Sequence, residues 1–158
     1  MPDKNILKCC YMCNPDGCGF VSESDYYRSL DFDRFCNRLS KVPKGDNCII
    51  HFRFATHGSV KASNCHPFYD SATGTYFAHN GVLPIKTVND RTDSEMCFRK
   101  QILPRLKKYG FDSAKFDIYV NIVRFGTRFA IMHDGRVKMY GDFETINGVY
   151  YSNLRWLR

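Results

Sequence analysis

Apolar residues recur along this chain at two periods, and the switches between them mark its elements. Ile6, Cys9, Cys10 and Cys13 fall at helical spacing, which predicts a short helix over 5–13 with these residues on its buried face. Asn14-Pro15 ends it, because the residue before a proline is biased away from the helical region. Asp16-Gly17-Cys18-Gly19-Phe20 reads as a turn entering a strand, with two glycines that permit close backbone approach. Asp31 caps a helix whose apolar positions, Phe32, Phe35, Cys36 and Leu39, follow i, i+3, i+4, i+7 and which stops near Pro43-Lys-Gly45. From Cys48 to Ala55 the period falls to two. Ile50, Phe52 and Phe54 then line one face of a strand, and Ile49, His51, Arg53 and Ala55 the other.

The second half continues the alternation. Tyr76 to His79 is a short strand running into Asn80-Gly81. Thr92-Asp-Ser-Glu95 has the S/T-x-x-E form of a capping box. It opens a helix with Phe98, Ile102, Leu103 and Leu106 on its apolar face and Gly110 as its stop, and Pro104 is expected to bend it. Segment 116–123 fits a helix (Phe116, Tyr119, Val120, Val123) and a strand (Phe116, Ile118, Val120, Ile122) equally well. Arg128 to Met132, an Asp134-Gly135 turn, Arg136 to Tyr140 and Val149 to Ser152 then read as strands. Helices between early and late strands suggest an α+β layered domain.

Size and composition narrow the class. With 158 residues, 44% hydrophobic and 15% aromatic, the chain suits one globular domain over 1–158 with a real core. No apolar run approaches the roughly 20 residues of a membrane span, and the N-terminus has no signal-peptide core. Eight cysteines without a secretory signal point to free thiols in the cytoplasm. The net charge of +7 is spread along the chain, and its densest group, Arg105, Lys107 and Lys108, reads as a solvated helix face. No nucleic-acid-binding motif accompanies it. Cys10-x-x-Cys13 lacks the second cysteine pair or spaced histidines of a zinc site, so no metal is expected.

The chemistry concentrates in Cys48–Gly81, which holds four of the five histidines, His51, His57, His66 and His79. The strand aims Arg53 and His51 either into a salt bridge beneath a sheet or at a ligand. Asn80-Gly81 is a hairpin-turn signal, or else an oxyanion hole made of a side-chain amide and a backbone N–H. Asp93 lies in a first helical turn, where a carboxylate is favoured without any function.

Taken together, Asn14-Pro-Asp-Gly17-x-Gly19-Phe20, Arg53-Phe-Ala-Thr-His-Gly58, Asn64-x-His66-Pro67, His79-Asn-Gly81, Thr92-Asp-Ser-Glu95 and Gly148-x-Tyr-Tyr-Ser-Asn153 resemble the class II glutamine amidotransferase domains. These are N-terminal nucleophile hydrolases, and the nearest likeness is to small stand-alone phage and prophage members. Any one motif is weak; six in register are specific. The resemblance implies a four-layer αββα sandwich, here lacking the first strand, and a substrate of glutamine or a related amino acid with no cofactor. It implies that Arg53 clamps the substrate α-carboxylate, Asp93 holds its α-ammonium, and Thr56, His57 and Gly58 line the pocket. Asn80 and Gly81 would form the oxyanion hole, and His51, His66 and His79 the scaffold. Phe54 stands where many members carry Trp, and Ser94 where Thr is usual. Ammonia would pass to a separate acceptor enzyme, in the host cytoplasm if the protein is phage-encoded.

One departure is large. The family's nucleophile is a cysteine that becomes residue one after Met removal, with its own amine as base. This chain begins Met1-Pro2, and Cys10 sits only six residues before Asp16, on the expected helix. Either the true start lies upstream at a Met-Cys, so that the chain is N-terminally incomplete relative to the family, or the domain is an inactive module that binds an amino acid or a protein.

Overall fold

The computed structural model describes residues 1–157. Helix α1 spans Lys4–Cys13, started by Asp3, whose carboxylate accepts from the Asn5 and Ile6 N–H groups at 2.9 Å. Strands β1 (Cys18–Ser22) and β2 (Tyr26–Ser29) follow, then α2 (Phe32–Leu39), capped by Asp31 as expected, and β3 (Cys48–Phe52). After a 3-10 turn at Ala62–Asn64 come β4 (Phe68–Asp70) and β5 (Thr75–Asn80). Helices α3 (Asp93–Cys97), α4 (Leu103–Tyr109) and α5 (Ala114–Val123) precede β6 (Arg128–His133) and β7 (Arg136–Tyr140). A ribbon of β8 (Glu144–Ile146) and β9 (Val149–Tyr151) ends in a second 3-10 turn.

The strands form two antiparallel sheets, ordered β2-β1-β3 and β4-β5-β6-β7, and the small β8-β9 ribbon. Period-two alternation gives each sheet two faces. Cys18 and Phe20 of β1 pack with Leu7, Phe35, Cys36 and Leu39, so α1 and α2 cover the first sheet. Phe77, Phe129 and Ile131 pack with Phe98, Ile102, Leu106, Phe116 and Val120, so α3–α5 cover the second. A third cluster joins Val21 and Ile49 of the first sheet to Ala78 and Met132 of the second. The observed class is mixed helix and antiparallel sheet.

Several elements depart from the pattern-based expectation. The buried residue of α1 is Leu7, whereas Cys9 and Cys13 are exposed. The helix rolls to bury its longest aliphatic side chain, with Cys10 and Tyr11 on the flank. β3 ends at Phe52, so Phe54 leaves the core face and is 63% exposed. Pro104 does not lie in the interior of a single α-helix. A π-helical turn at Phe98–Ile102 slips the bonding register just before it, and Pro104 falls in the first turn of α4, where its missing N–H costs little. Segment 116–123 resolves as helix because Ser113 caps it and Phe116, Val120 and Val123 reach the core. The capping box works in one direction only: Thr92 accepts from the Glu95 N–H at 3.0 Å, while Glu95 pairs with Arg99 at 2.8 Å.

Candidate functional site

Two of the sequence motifs prove to be halves of one packing arrangement. A Cβ on Gly17 would lie 2.3 Å from Cys65 Sγ, and one on Gly19 would lie 2.2 Å from the His66 carbonyl oxygen. The Asp-Gly-x-Gly segment is bare so that the Asn-x-His-Pro segment can lie against it. Gly17 also requires glycine for its φ of +129°. Beyond the end of β3, Asp16 continues the grip on the chain. Its N–H donates to the Arg53 carbonyl at 2.9 Å, and its carboxylate accepts from the Ala55 N–H at 2.8 Å.

Arg53 is thereby aimed inward and is 3% exposed. Its Nη1 donates to the Ser59 carbonyl at 3.0 Å, and Nη2 to those of His57 and Gly58 at 2.9 and 3.1 Å. These bonds fold the 57–59 loop around the guanidinium. The loop is pinned outside by Asn64, which donates to the Ser59 and Asp90 carbonyls, and by Asp90 itself. The Asp90 carboxylate accepts from Ser59 N–H, Ser59 Oγ and Lys61 Nζ, each at 2.6 Å. Lys61 and the Ser59 contacts together hold that carboxyl well below the usual range. Gly58, at φ +72°, has no room for a side chain because a Cβ would meet Asn64 Nδ2 at 2.8 Å. Thr56 is exposed at the tip.

Asp93 is also 3% exposed. It accepts from the Leu83 N–H at 2.7 Å and the Ser94 N–H at 2.8 Å, which ties the first turn of α3 to the loop leaving β5. His57 Nδ1 lies 4.0 Å from Asp93 Oδ1 and has no hydrogen-bond partner. His57 thus connects the Arg53 and Asp93 sides of the site. Among the described residues, Arg53 has no carboxylate within ion-pairing distance and Asp93 no lysine or arginine.

Asn80 and Gly81 do not form a hairpin turn. β5 pairs with β4 and β6, and the chain leaves Asn80 for a loop that leads to α3. Gly81 is exposed at φ +137°, where a Cβ would strike Thr127 Cγ2 at 2.6 Å. The Asn80 side chain donates to Ser152 Oγ at 2.6 Å.

The histidines gather between the sheets. His51 and His66 have ring centroids 4.2 Å apart, and His66 and His79 6.4 Å apart. His51 Nε2 donates to the His79 carbonyl at 3.0 Å, and His79 Nδ1 meets Ser94 Oγ at 2.8 Å. His51 Nδ1, His79 Nε2 and both nitrogens of His66 are buried without partners. Burial lowers the pKa of His51 and of His79 to about 4 and that of His66 well below its ordinary value, so all three are neutral at pH 7. No group of three or more His, Cys, Asp or Glu among the described residues is arranged to hold a metal ion.

The shielded cysteines are disfavoured as nucleophiles. Burial raises the Cys18, Cys48 and Cys97 thiols to about 12 and Cys10 to about 11, and it raises Cys36 and Cys65 as well. The thiols that make hydrogen bonds, Cys13, Cys18 and Cys65, meet only carbonyl oxygens, which cannot deprotonate them.

The structure therefore brings Arg53, His57, Gly58 and Asp93 into one linked set, with Thr56 exposed above the loop, and places Asn80-Gly81 at the end of β5. Three contributors carried little sequence signal. Ser94 stands out in the sequence only within the Thr92–Glu95 motif, Asp90 lies in a loop without pattern, and Ser152 was marked only by the Gly148–Asn153 motif. A cleft of about 270 Å³ lined by Arg28, Lys61, Asp90, Arg91, Glu95 and Arg99, among others, borders the 59–64 segment without including Arg53, Asn80 or Asp93.

Over 76 residues the chain is 30% identical to the glutamine–fructose-6-phosphate aminotransferase (isomerizing) of Methanococcus maripaludis, an alignment covering 43% of this chain and 12% of that protein. The chain thus spans a small part of the relative's length. The family model of the class II glutamine amidotransferases matches residues 37–138, which include Arg53, Asn80, Gly81 and Asp93. On that match, which covers well over half of its length, the chain belongs to the class II glutamine amidotransferases.

Proposed function

We propose that this domain binds L-glutamine and hydrolyses its side-chain amide, releasing ammonia to a separate acceptor enzyme. The observation that carries the reading is the pair of oppositely charged, buried and mutually unpaired side chains, Arg53 and Asp93. Burying an uncompensated charge is costly, so each side chain favours an opposite charge from a ligand. A free α-amino acid supplies both, its carboxylate for Arg53 and its ammonium for Asp93. Arg53 has five N–H donors and uses three on the 57–59 carbonyls, which leaves two for a carboxylate.

In this reading a thiolate attacks the γ-carboxamide carbon, and the electron pair moves to the oxygen. The Asn80 amide and the Gly81 N–H hold that oxyanion, where one donor is typically worth about 2.7–4 kcal/mol. The nitrogen leaves as ammonia after taking the thiol proton, and water cleaves the thioester to glutamate. In the family the thiol is that of an N-terminal cysteine, and the reading requires a form of the protein that carries one.

The same reading makes residues 1–158 a single domain of the small stand-alone, phage-type kind, working in the cytoplasm. Support for the αββα layering that this reading implies comes from the apolar clusters between helices and first sheet, between the two sheets, and between second sheet and helices. No helix among the described residues is long and apolar enough to cross a membrane.

The test is glutamate release from glutamine by the chain as given and by a form translated from an in-frame upstream Met-Cys. Release by the extended form alone is expected. If a folded extended form is inactive while the chain still binds glutamine, the domain is an inactive amino-acid-binding module.

A further inference from the structure

The bond from Asn80 Nδ2 to Ser152 Oγ, 2.6 Å long, links residues 72 positions apart. Ser152 directly follows β9, so the ribbon at the chain's end reaches back to the end of β5. The family match stops at residue 138, which leaves the ribbon and Ser152 outside the shared core. An asparagine at the end of a strand rotates readily about its terminal side-chain torsion, which has a broad, shallow profile. An oxyanion donor is useful only if its N–H is held where the charge will develop. Something must therefore fix the Asn80 amide plane.

We propose that Ser152 is a positioning residue that fixes the Asn80 amide for the oxyanion formed during glutamine hydrolysis, a role that rests on the function proposed above. An amide nitrogen carries two hydrogens. Ser152 Oγ takes one, and the amide plane this sets directs the other. The remainder of the ribbon serves to deliver this hydroxyl. β8 and β9 pair only with each other (Glu144 with Tyr151, Ile146 with Val149), and Tyr151 packs on Trp156 at 5.2 Å. The opposite possibility is that Ser152 occupies the place of the oxyanion and blocks the site. The two make opposite predictions when the hydroxyl is removed.

Two measurements decide. The first, on the chain as given, is the side-chain ¹⁵N–¹H resonance pair of Asn80 in the wild type, Ser152→Ala and Ser152→Thr. The expected result is a shifted, slowly exchanging pair in the wild type, a return to free-amide shifts in S152A, and recovery in S152T. The second is steady-state turnover of the glutamine-hydrolysing form. Removing one oxyanion donor outright typically costs about 10²–10³-fold in kcat. Loosening rather than removing it should lower kcat by about 10-fold, leave KM within about 2-fold, and be restored by S152T. Unchanged Asn80 resonances or unchanged kcat in S152A would overturn the proposal, and a rise in kcat would replace it with the blocking role. If the wild type neither binds nor hydrolyses glutamine, the functional reading fails and the positioning role with it, whatever the resonances show.

Discussion

Arg53 and Asp93 are each 3% exposed and of opposite charge, yet they do not pair with each other. Arg53 spends its bonds on the carbonyls of 57–59, Asp93 spends its own on the N–H groups of Leu83 and Ser94, and His57 touches both sides. A structural salt bridge, the plain expectation for an arginine beneath a sheet, would have joined Arg53 to a carboxylate. Keeping the charges apart makes sense if a zwitterion completes them.

Arg53→Lys should therefore loosen the site. An ammonium cannot reproduce the planar fork that reaches three carbonyl oxygens. Bonds to a charged donor contribute about 1.5–3 kcal/mol each, so with one of the three kept the variant should lose about 3–6 kcal/mol. Denaturant unfolding measures the loss. Hydrogen exchange should show the 57–61 loop opening first, because only Asp90 and Asn64 then hold Ser59.

Gly19→Ala tests the packing of the two motifs. Its φ is unexceptional, so the penalty comes from space. The new Cβ would sit 2.2 Å from the His66 carbonyl and 3.0 Å from Arg28 Cγ. Backbone cannot yield cheaply, and overpacking of this kind costs about 1–3 kcal/mol or more. A thermal melt should show a fall in Tm of several degrees, whereas Gly45→Ala, with nothing within 4 Å, should leave it nearly unchanged.

The buried imidazoles set the acid side of the stability curve. His51 and His79 have folded pKa values of about 4 against an unfolded value near 6.5, so between these pH values the unfolded chain binds more protons. Their contribution is complete above pH 6.5 and is lost as pH falls to 4, by up to about 3 kcal/mol per residue. Burial causes most of this. The Arg53 charge adds to it at His51, and Asp93 opposes it at His79. Stability measured by denaturant at pH 7, 6, 5 and 4 should fall steeply below 6.5. His51→Asn should flatten the fall.

Much of this was legible in the residues alone. Phe32, Phe35, Cys36 and Leu39 gave α2 with its cap at Asp31, and the alternation in Cys48–Phe52 separated the face toward α1 and α2 from the face that carries Ile49 and His51 between the sheets. Arg53, His57, Gly58 and Asp93 were marked as one set through their motifs. Elements decided by partners far along the chain were not legible. β2, β4 and β8 are short strands that exist because β1, β5 and β9 stand beside them. Phe54 looked like core because the alternation continues, although the Asp16 bonds had already turned the chain. Ser152 was invisible as a partner of Asn80 for the same reason: a contact across 72 residues leaves no periodicity.

The central claim is that the site reads both charges of an amino acid, and calorimetric titration of the chain tests it most directly. L-Glutamine and 4-carbamoylbutanoate, which is glutamine without its α-ammonium, are compared under identical conditions. The account predicts saturable binding of one L-glutamine per chain, with affinity at least about 10-fold weaker for the analogue, since a charge-assisted contact is worth more than about 1.4 kcal/mol. Equal affinities, or no saturable heat with millimolar L-glutamine on a folded chain, would contradict it.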